Sequence, residues 1–532
     1  MSSSLLLENA RVIDGTGAPW FRGHVLIADG RIESVRRERE PTIDADERID
    51  IDGEAVCPGF VDLHSHSDLR ILDEPTLEPK VKQGITTEIL GQDGFSMAPM
   101  YRDGGSAEWG DHLEGLAGES ETEWTWGNVA DYLDAIDERG AAVNAATLVG
   151  HGTVRYDALG MADRDPTDEE LARMADLVTE ALEDGAIGFS TGLVYPPQVN
   201  ATTREVAALA KCLVPHGRPF VAHIRSEGRW IWDAFDEFVD IGDDARIPIH
   251  VSHFKVSGRS VRGTAGRLLK LFEAARDRGV DVTADKYPYA AGNTMLTSVL
   301  PPWVHADGLD RLQEYLSDEA ARNRMHREIE GWEIEGWENN AGKTGWENLV
   351  VSNVEADDLA HLNGRSIAEI AAERDVRPID AVCDVLLEAG TGVSMITHSQ
   401  SEADVREMLA HEYVAVGTDA LFGGSPHPRT YGAYPRILGH YVRDENLLTL
   451  EEAIRKMTSL PARAMGLNRK GVIRPVMDAD LVVFRPHVVD ERATFADPRQ
   501  LPSGILHVLV DGEFVVRDGE LTGALPGGAI RA

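Results

Sequence analysis

Two histidines one residue apart, His64 and His66, close an apolar run that reads Pro58-Gly-Phe-Val-Asp-Leu-His-Ser-His66. If that run is an extended strand, its side chains alternate between faces, so Asp62, His64 and His66 share one face and two imidazoles aim at a common point. Neutral imidazole is a preferred donor for zinc and related ions, and one short rigid segment then supplies two ligands. The remaining ligands must come from elsewhere. Asp93, His223, His253 and Asp419 are the candidates, because each interrupts or follows an apolar run at its C-terminal end. Four histidines and two carboxylates so placed suit one or two divalent ions, zinc (Zn2+) foremost, with a position left open for water.

These residues need a scaffold that gathers strand ends. Apolar runs ending at 64–66, 86–91, 146–149, 187–190, 220–223, 249–253, 280–284 and 414–419 alternate with amphipathic patterns such as 168–183, 203–214 and 265–278. Eight such units predict an α/β fold of the TIM (β/α)8 type, with its active site at the C-terminal ends of the strands. Short β-rich runs punctuated by Asp-Gly turns lie at both ends of the chain, which predicts one small accessory β-domain built from residues 1–56 and 471–532 around a barrel of 57–470. Residues 287–350 or so exceed what one crossover needs and carry Trp332, Trp337 and Trp346. They read as an insertion after strand seven, either capping the barrel mouth or lying on its outer wall.

A net charge of -38 argues against nucleic acid or an anionic membrane as partner. No apolar run is long enough to span a bilayer, and the start of the chain has no basic segment, so a soluble cytoplasmic protein is expected. Cys57, Cys212 and Cys383 are odd in number and far apart, which gives neither a disulfide framework nor a CxxC knuckle. The basic residues are 43 Arg and only 9 Lys. Salt adaptation and codon bias both account for that composition.

Motifs along almost the whole chain carry a resemblance: the HxH segment, Gln83-Gly-Ile-Thr-Thr87, Gly150-His-Gly-Thr153, Gly188-Phe-Ser-Thr-Gly-Leu-Val-Tyr-Pro196, His223-Ile-Arg-Ser-Glu-Gly228, Ser252-His-Phe-Lys255, Tyr287-Pro-Tyr289 and His427-Pro-Arg-Thr-Tyr-Gly432. Together they resemble the amidohydrolase superfamily, in particular its N-acyl-D-amino-acid deacylase (D-aminoacylase) branch. The resemblance implies that His64 and His66 bind one metal, that His223 and His253 bind the other, and that Asp419 in Val416-Gly-Thr-Asp-Ala420 is the strand-eight aspartate. The branch typically has a metal-bridging cysteine in a Gly-Asn-Cys-Gly turn, whereas this chain reads Gly91-Gln-Asp-Gly94. Asp93 is expected to take the bridging place with a harder donor; the alternative is a turn aspartate beside a mononuclear site.

The implied reaction is hydrolysis of the amide of an N-acyl-D-amino acid, the D configuration resting on the resemblance alone. A divalent ion supplies a nucleophile at neutral pH by bringing the pKa of its water toward about 7, and it polarises the carbonyl. Asp419 is the candidate general base that moves the proton to the leaving nitrogen. Lys255, Arg429 and Tyr287 are the candidate contacts to the substrate carboxylate, although Lys255 and Arg429 could equally be ion pairs with acidic neighbours. A cyclic amidase or dipeptidase of the same superfamily is the alternative; such relatives often carry a carboxylated lysine on strand four, and residues 185–191 hold no lysine. A non-catalytic metal-binding barrel is the alternative of another class.

Overall fold

The computed structural model describes residues 4–37, 43–118, 120–354 and 358–532. Its centre consists of β1 (Phe60–Asp62), β2 (Ile85–Leu90), β3 in two pieces (Asn144–Thr147 and Val149–Gly150), β4 (Phe189–Gly192), β5 (Phe220–His223), β6 (Ile249–Val251), β7 (Val282–Lys286) and β8 (Val414–Val416). They are parallel and pair in that order, β3 changing partner from β2 to β4 between its two pieces. The return from β8 to β1 is made just past the strand ends, by a parallel bridge between Ser65 and Ala420 and by Asp419 N–H donating to the His64 carbonyl at 2.8 Å. Two of these four residues, His64 and Asp419, are expected to take part in the chemistry.

Every residue of β1, β2 and β5 to β8 is buried, as parallel strands covered by helices require. Alternation sorts the faces. On β5, Phe220 and Ala222 pack in the large cluster shared with the helices, whereas Val221 packs in a second cluster, between the strands, with Val61, Leu63, Ile89 and Ala415. His223 follows in the inward phase. On β1 the same rule corrects the expectation for Asp62: Val61 and Leu63 share the inward cluster, so Asp62 turns the other way, toward Lys80. His64 and His66 lie beyond the end of the strand, and it is the turn there that points them inward.

A nine-stranded sheet flanks this core and draws on both ends of the chain. Ala55–Pro58 pairs antiparallel with Leu481–Phe484, which joins the two halves. Between β7 and β8 the chain makes an excursion that runs to residue 401, not 350, before the helix Glu402–Ala410 resumes the crossover. Strands Gly292–Met295 and Leu349–Asn353 both pair with Ser394–Thr397, and a separate apolar cluster holds this unit together. Because the middle strand of that sheet comes last in sequence, reading along the chain ends the unit too early. Among the described residues no helix is long and apolar enough to cross a membrane.

Candidate metal centre

The six expected ligands converge. His64 and His66 follow β1, Asp93 lies in the turn after β2, His223 ends β5, His253 stands two residues past β6, and Asp419 lies just past β8. Asp93, His253 and Asp419 have left-handed backbones, with φ of 55°, 35° and 50°. Such angles are unfavourable for side-chain-bearing residues and persist where tertiary contacts impose them. Here Gln198 Nε2 donates to the Asp93 carbonyl at 2.7 Å, and His253 N–H donates to Asp285 Oδ1 at 3.1 Å.

A single Asp93 oxygen, Oδ2, lies 3.5 Å from His64 Nε2, 3.7 Å from His66 Nε2, 3.7 Å from His223 Nδ1 and 3.6 Å from His253 Nε2. Asp419 Oδ1 lies 3.6 Å from His64 Nε2 and 3.4 Å from His66 Nε2. These separations are long for hydrogen bonds. They do match the edge of a tetrahedron around zinc, which is about 3.3 Å for ligands about 2.0–2.1 Å from the ion. His64 Nε2, His66 Nε2, His223 Nδ1 and Asp93 Oδ1 are buried without a hydrogen-bond partner. Buried polar atoms are normally satisfied, so these orphans, three of them imidazole nitrogens within 3.7 Å of Asp93 Oδ2, fit a shared cation. The donors form three overlapping groups, His64/His66/Asp93, Asp93/His223/His253 and His64/His253/Asp419, the first two sharing Asp93. All are nitrogen or oxygen, the donor set of zinc, cobalt or manganese.

Around them stands a ring of fixed partners. Asp285 on β7, which the sequence reading missed, accepts from His250 Nε2 at 3.0 Å and lies 3.8 Å from His64 Nδ1. Burial pushes the Asp285 carboxyl up, but the hydrogen bond from His250 and the nearby His64 imidazole outweigh it and hold the group well below the usual range. Such carboxylate contacts orient ligating imidazoles. Glu227 Oε1 sits 3.0 Å from His253 Nδ1 and 3.7 Å from His223 Nε2. Arg225, the other residue singled out beside His223, instead makes a two-pronged pair with Glu237, and His151 pairs with Glu205.

A second missed group is Lys80. Its buried ammonium reaches Asp62 Oδ2 at 2.8 Å, Glu88 Oε1 at 2.5 Å, Ser65 Oγ at 2.9 Å and Thr418 Oγ1 at 3.1 Å. Ser65 separates the two histidines and Thr418 precedes Asp419, so one cation ties β1, β2 and β8 together beneath the ligands.

Of the expected substrate contacts, Lys255 is already engaged: its Nζ lies 2.5 Å from Glu227 Oε1 and 2.8 Å from His253 Nδ1. The ion-pair alternative describes it better, because the loops after β5 and β6 bring Glu227 and Lys255 together away from water. Arg429 is buried, with Nη1 2.8 Å from Asp419 Oδ2 and Nη2 donating to the Asn293 carbonyl at 3.2 Å. Its Nε and Nη1 have no well-aligned hydrogen bond. The guanidinium lies 4.6 Å from the centre of the Tyr287 ring, and the Tyr287 hydroxyl accepts from Gln400 at 2.9 Å, which leaves the phenol proton free.

A model of the amidohydrolase family (Amidohydro_3) matches residues 47–516. The chain belongs to the amidohydrolase family. It is 36% identical over 520 residues to the D-aminoacylase of Alcaligenes xylosoxydans xylosoxydans, covering 98% of this chain and 96% of that one. Among solved structures it is similar to a D-aminoacylase studied for the functional role of its binuclear metal centre (33% identical, 99% of each chain, TM-score 0.83). It is also similar to an N-acyl-D-glutamate deacylase from Bordetella bronchiseptica, complexed with zinc and a phosphonate that mimics the tetrahedral intermediate (30%, 100% of each chain, TM-score 0.83). In this amidohydrolase the metal centre opens onto a cavity with Tyr195, Asn293 and Thr397 on its wall, so residues of the excursion share the walls with the strand ends.

Proposed function

We propose that this amidohydrolase removes the acyl group from N-acyl-D-amino acids, yielding a carboxylate and a free D-amino acid. The observation that carries the reading is the one Asp93 oxygen set 3.5–3.7 Å from four imidazole nitrogens, with Asp419 beside them at the cavity floor. The D configuration is supported by the named relatives. His64, His66, Asp93, His223, His253 and Asp419 would hold one or two divalent ions, with Asp93 bridging when there are two. Bound there, an ion makes water acidic and polarises the amide carbonyl.

The residues of the chain do the rest. Arg429 offers its unpaired Nε–H and the guanidinium charge to the α-carboxylate of the substrate. Tyr287, whose buried phenol is pushed up and stays protonated, donates its free proton within the cavity. Asp419 takes a proton from the attacking water and passes it to the nitrogen as the C–N bond breaks. Burial raises the Asp419 carboxyl, while Arg429 and His64 outweigh burial and keep it ionised and ready to accept.

We place this chemistry at the C-terminal mouth of a (β/α)8 barrel of about residues 57–470, with residues 1–56 and 471–532 as the accessory domain. A cytoplasmic site of action fits three cysteines that are all unpaired. The test is amine release from N-acetyl-D- and N-acetyl-L-methionine by zinc-loaded and chelator-stripped protein. Zinc-dependent turnover of the D substrate is expected, and D turnover no faster with metal than without would overturn the proposal.

A further inference from the structure

The cavity over the metal centre has a mixed lining. Leu116, Val194 and Tyr195 contribute apolar surface, and the excursion contributes Glu338, Asn340 and Lys343. Among the described residues three cations border the cavity: Lys255, Lys343 and Arg429. Each faces a carboxylate. Lys255 Nζ is 2.5 Å from Glu227, Lys343 Nζ is 2.5 Å from Glu338 Oε1, and Arg429 Nη1 is 2.8 Å from Asp419. Glu338 is held from its other side too, since Ser226 Oγ donates to its Oε2 at 2.5 Å. Ser226 in turn accepts from the backbone N–H of Gly228 and Trp230, in the loop that follows His223.

Of these three cations Arg429 alone keeps buried N–H groups without a well-aligned acceptor. One entering carboxylate is thereby matched. A second would give up its hydration and meet only Lys343, a cation already neutralised at contact distance, with the Glu338 charge beside it. Desolvation without a free counter-charge disfavours such a ligand strongly, and like-charge placement is a known route to discrimination.

We infer that this enzyme selects N-acyl-D-amino acids with an uncharged side chain, and that Glu338 enforces the choice by occupying Lys343. The inference rests on the deacylase reading above. Its test compares two substrates of nearly equal shape, N-acetyl-D-glutamine and N-acetyl-D-glutamate, with N-acetyl-D-methionine as reference, on zinc-loaded protein. The wild type should show a glutamate-to-glutamine ratio of kcat/KM below about one tenth, the difference lying chiefly in KM.

Glu338→Gln keeps an acceptor for Ser226 but frees Lys343, and should raise that ratio at least about tenfold. Adding Lys343→Met to Glu338→Gln should return the ratio to the wild-type value or lower. A loss of packing alone would slow both substrates alike and leave the ratio unmoved. A wild-type ratio near one, or no rise in Glu338→Gln, overturns the inference while D-methionine turnover leaves the deacylase reading intact. No turnover of any D substrate sinks that reading, and this inference with it.

Discussion

Asp93→Asn isolates the charge of the shared ligand. Asn tolerates a left-handed backbone about as well as Asp, so the variant keeps the turn at φ 55°, whereas Ala would add strain of its own. Zinc binding by a four-ligand site is worth roughly 10–16 kcal/mol, so one ligand carries about 3 kcal/mol, or roughly 150-fold in affinity. Asp93 belongs to both the His64/His66 and the His223/His253 groups, so both affinities should fall by that order.

The pH dependence should change as well. In the metal-free chain burial lowers the His64 pKa, but Asp93 and Asp419 outweigh it and hold the group well above the usual value. An incoming ion must displace that proton, so affinity falls as pH falls; without the Asp93 charge the proton is held less tightly and the slope flattens. The assay is chelator competition for zinc at pH 6.5 and pH 8, with bound metal counted after dialysis. Wild-type-like content, with affinity within about threefold at both pH values, would refute the shared-ligand argument.

Asp419→Asn should retain metal yet lose about 10²–10⁴-fold in kcat, measured on zinc-loaded protein of verified metal content. Lys80→Met strands the buried Asp62 and Glu88 carboxylates, and should destabilise the fold by about 3–5 kcal/mol, read from denaturant unfolding. His112 and His305, buried where helix Gly105–Ala117 meets the excursion, are lowered by burial to about 4 and about 3. Their unfolded values are higher, so the unfolded chain binds more protons once pH drops below about 6.5. Stability should therefore decline between pH 6.5 and 4, by about 2 kcal/mol per histidine at pH 5. His112→Gln should reduce the difference in melting temperature between pH 7.5 and pH 5.

The strand ends were legible because a buried parallel strand is a short apolar run, and a histidine or aspartate breaking that run is conspicuous. Where the chain leaves the strand, period-two reasoning lost its hold. Asp62 was assigned to the face of His64, although Val61 and Leu63 occupy the inward phase. His253 reaches the centre only through a left-handed turn at φ 35° that no alternation rule anticipates. Asp285 escaped notice for the opposite reason: it sits inside β7, where Asp in an apolar strand had no partner visible in sequence until β6 supplied His250. The excursion was cut short because its central strand is the last to be made.

The scarcity of lysine, read from the sequence only as salt adaptation or codon bias, has a structural side. The chain carries 43 Arg and 9 Lys, yet five of those nine lysines, Lys80, Lys255, Lys286, Lys343 and Lys456, are buried. A lysine-poor composition, whatever its origin, fills exposed cationic positions with arginine; it cannot do so where a planar fork does not fit. An ammonium is compact and offers three donors in a tetrahedral spread. Lys80 shows the demand in full, with acceptors from β1, β2 and β8 gathered within 3.1 Å of one nitrogen. Lys286 donates to Gln400, the residue that in turn fixes the Tyr287 hydroxyl. In such a background the five buried lysines mark interior positions that call for a compact three-donor group, and three of them stand at the metal centre, Lys255 and Lys343 lining its cavity and Lys80 bonded to Ser65 and Thr418.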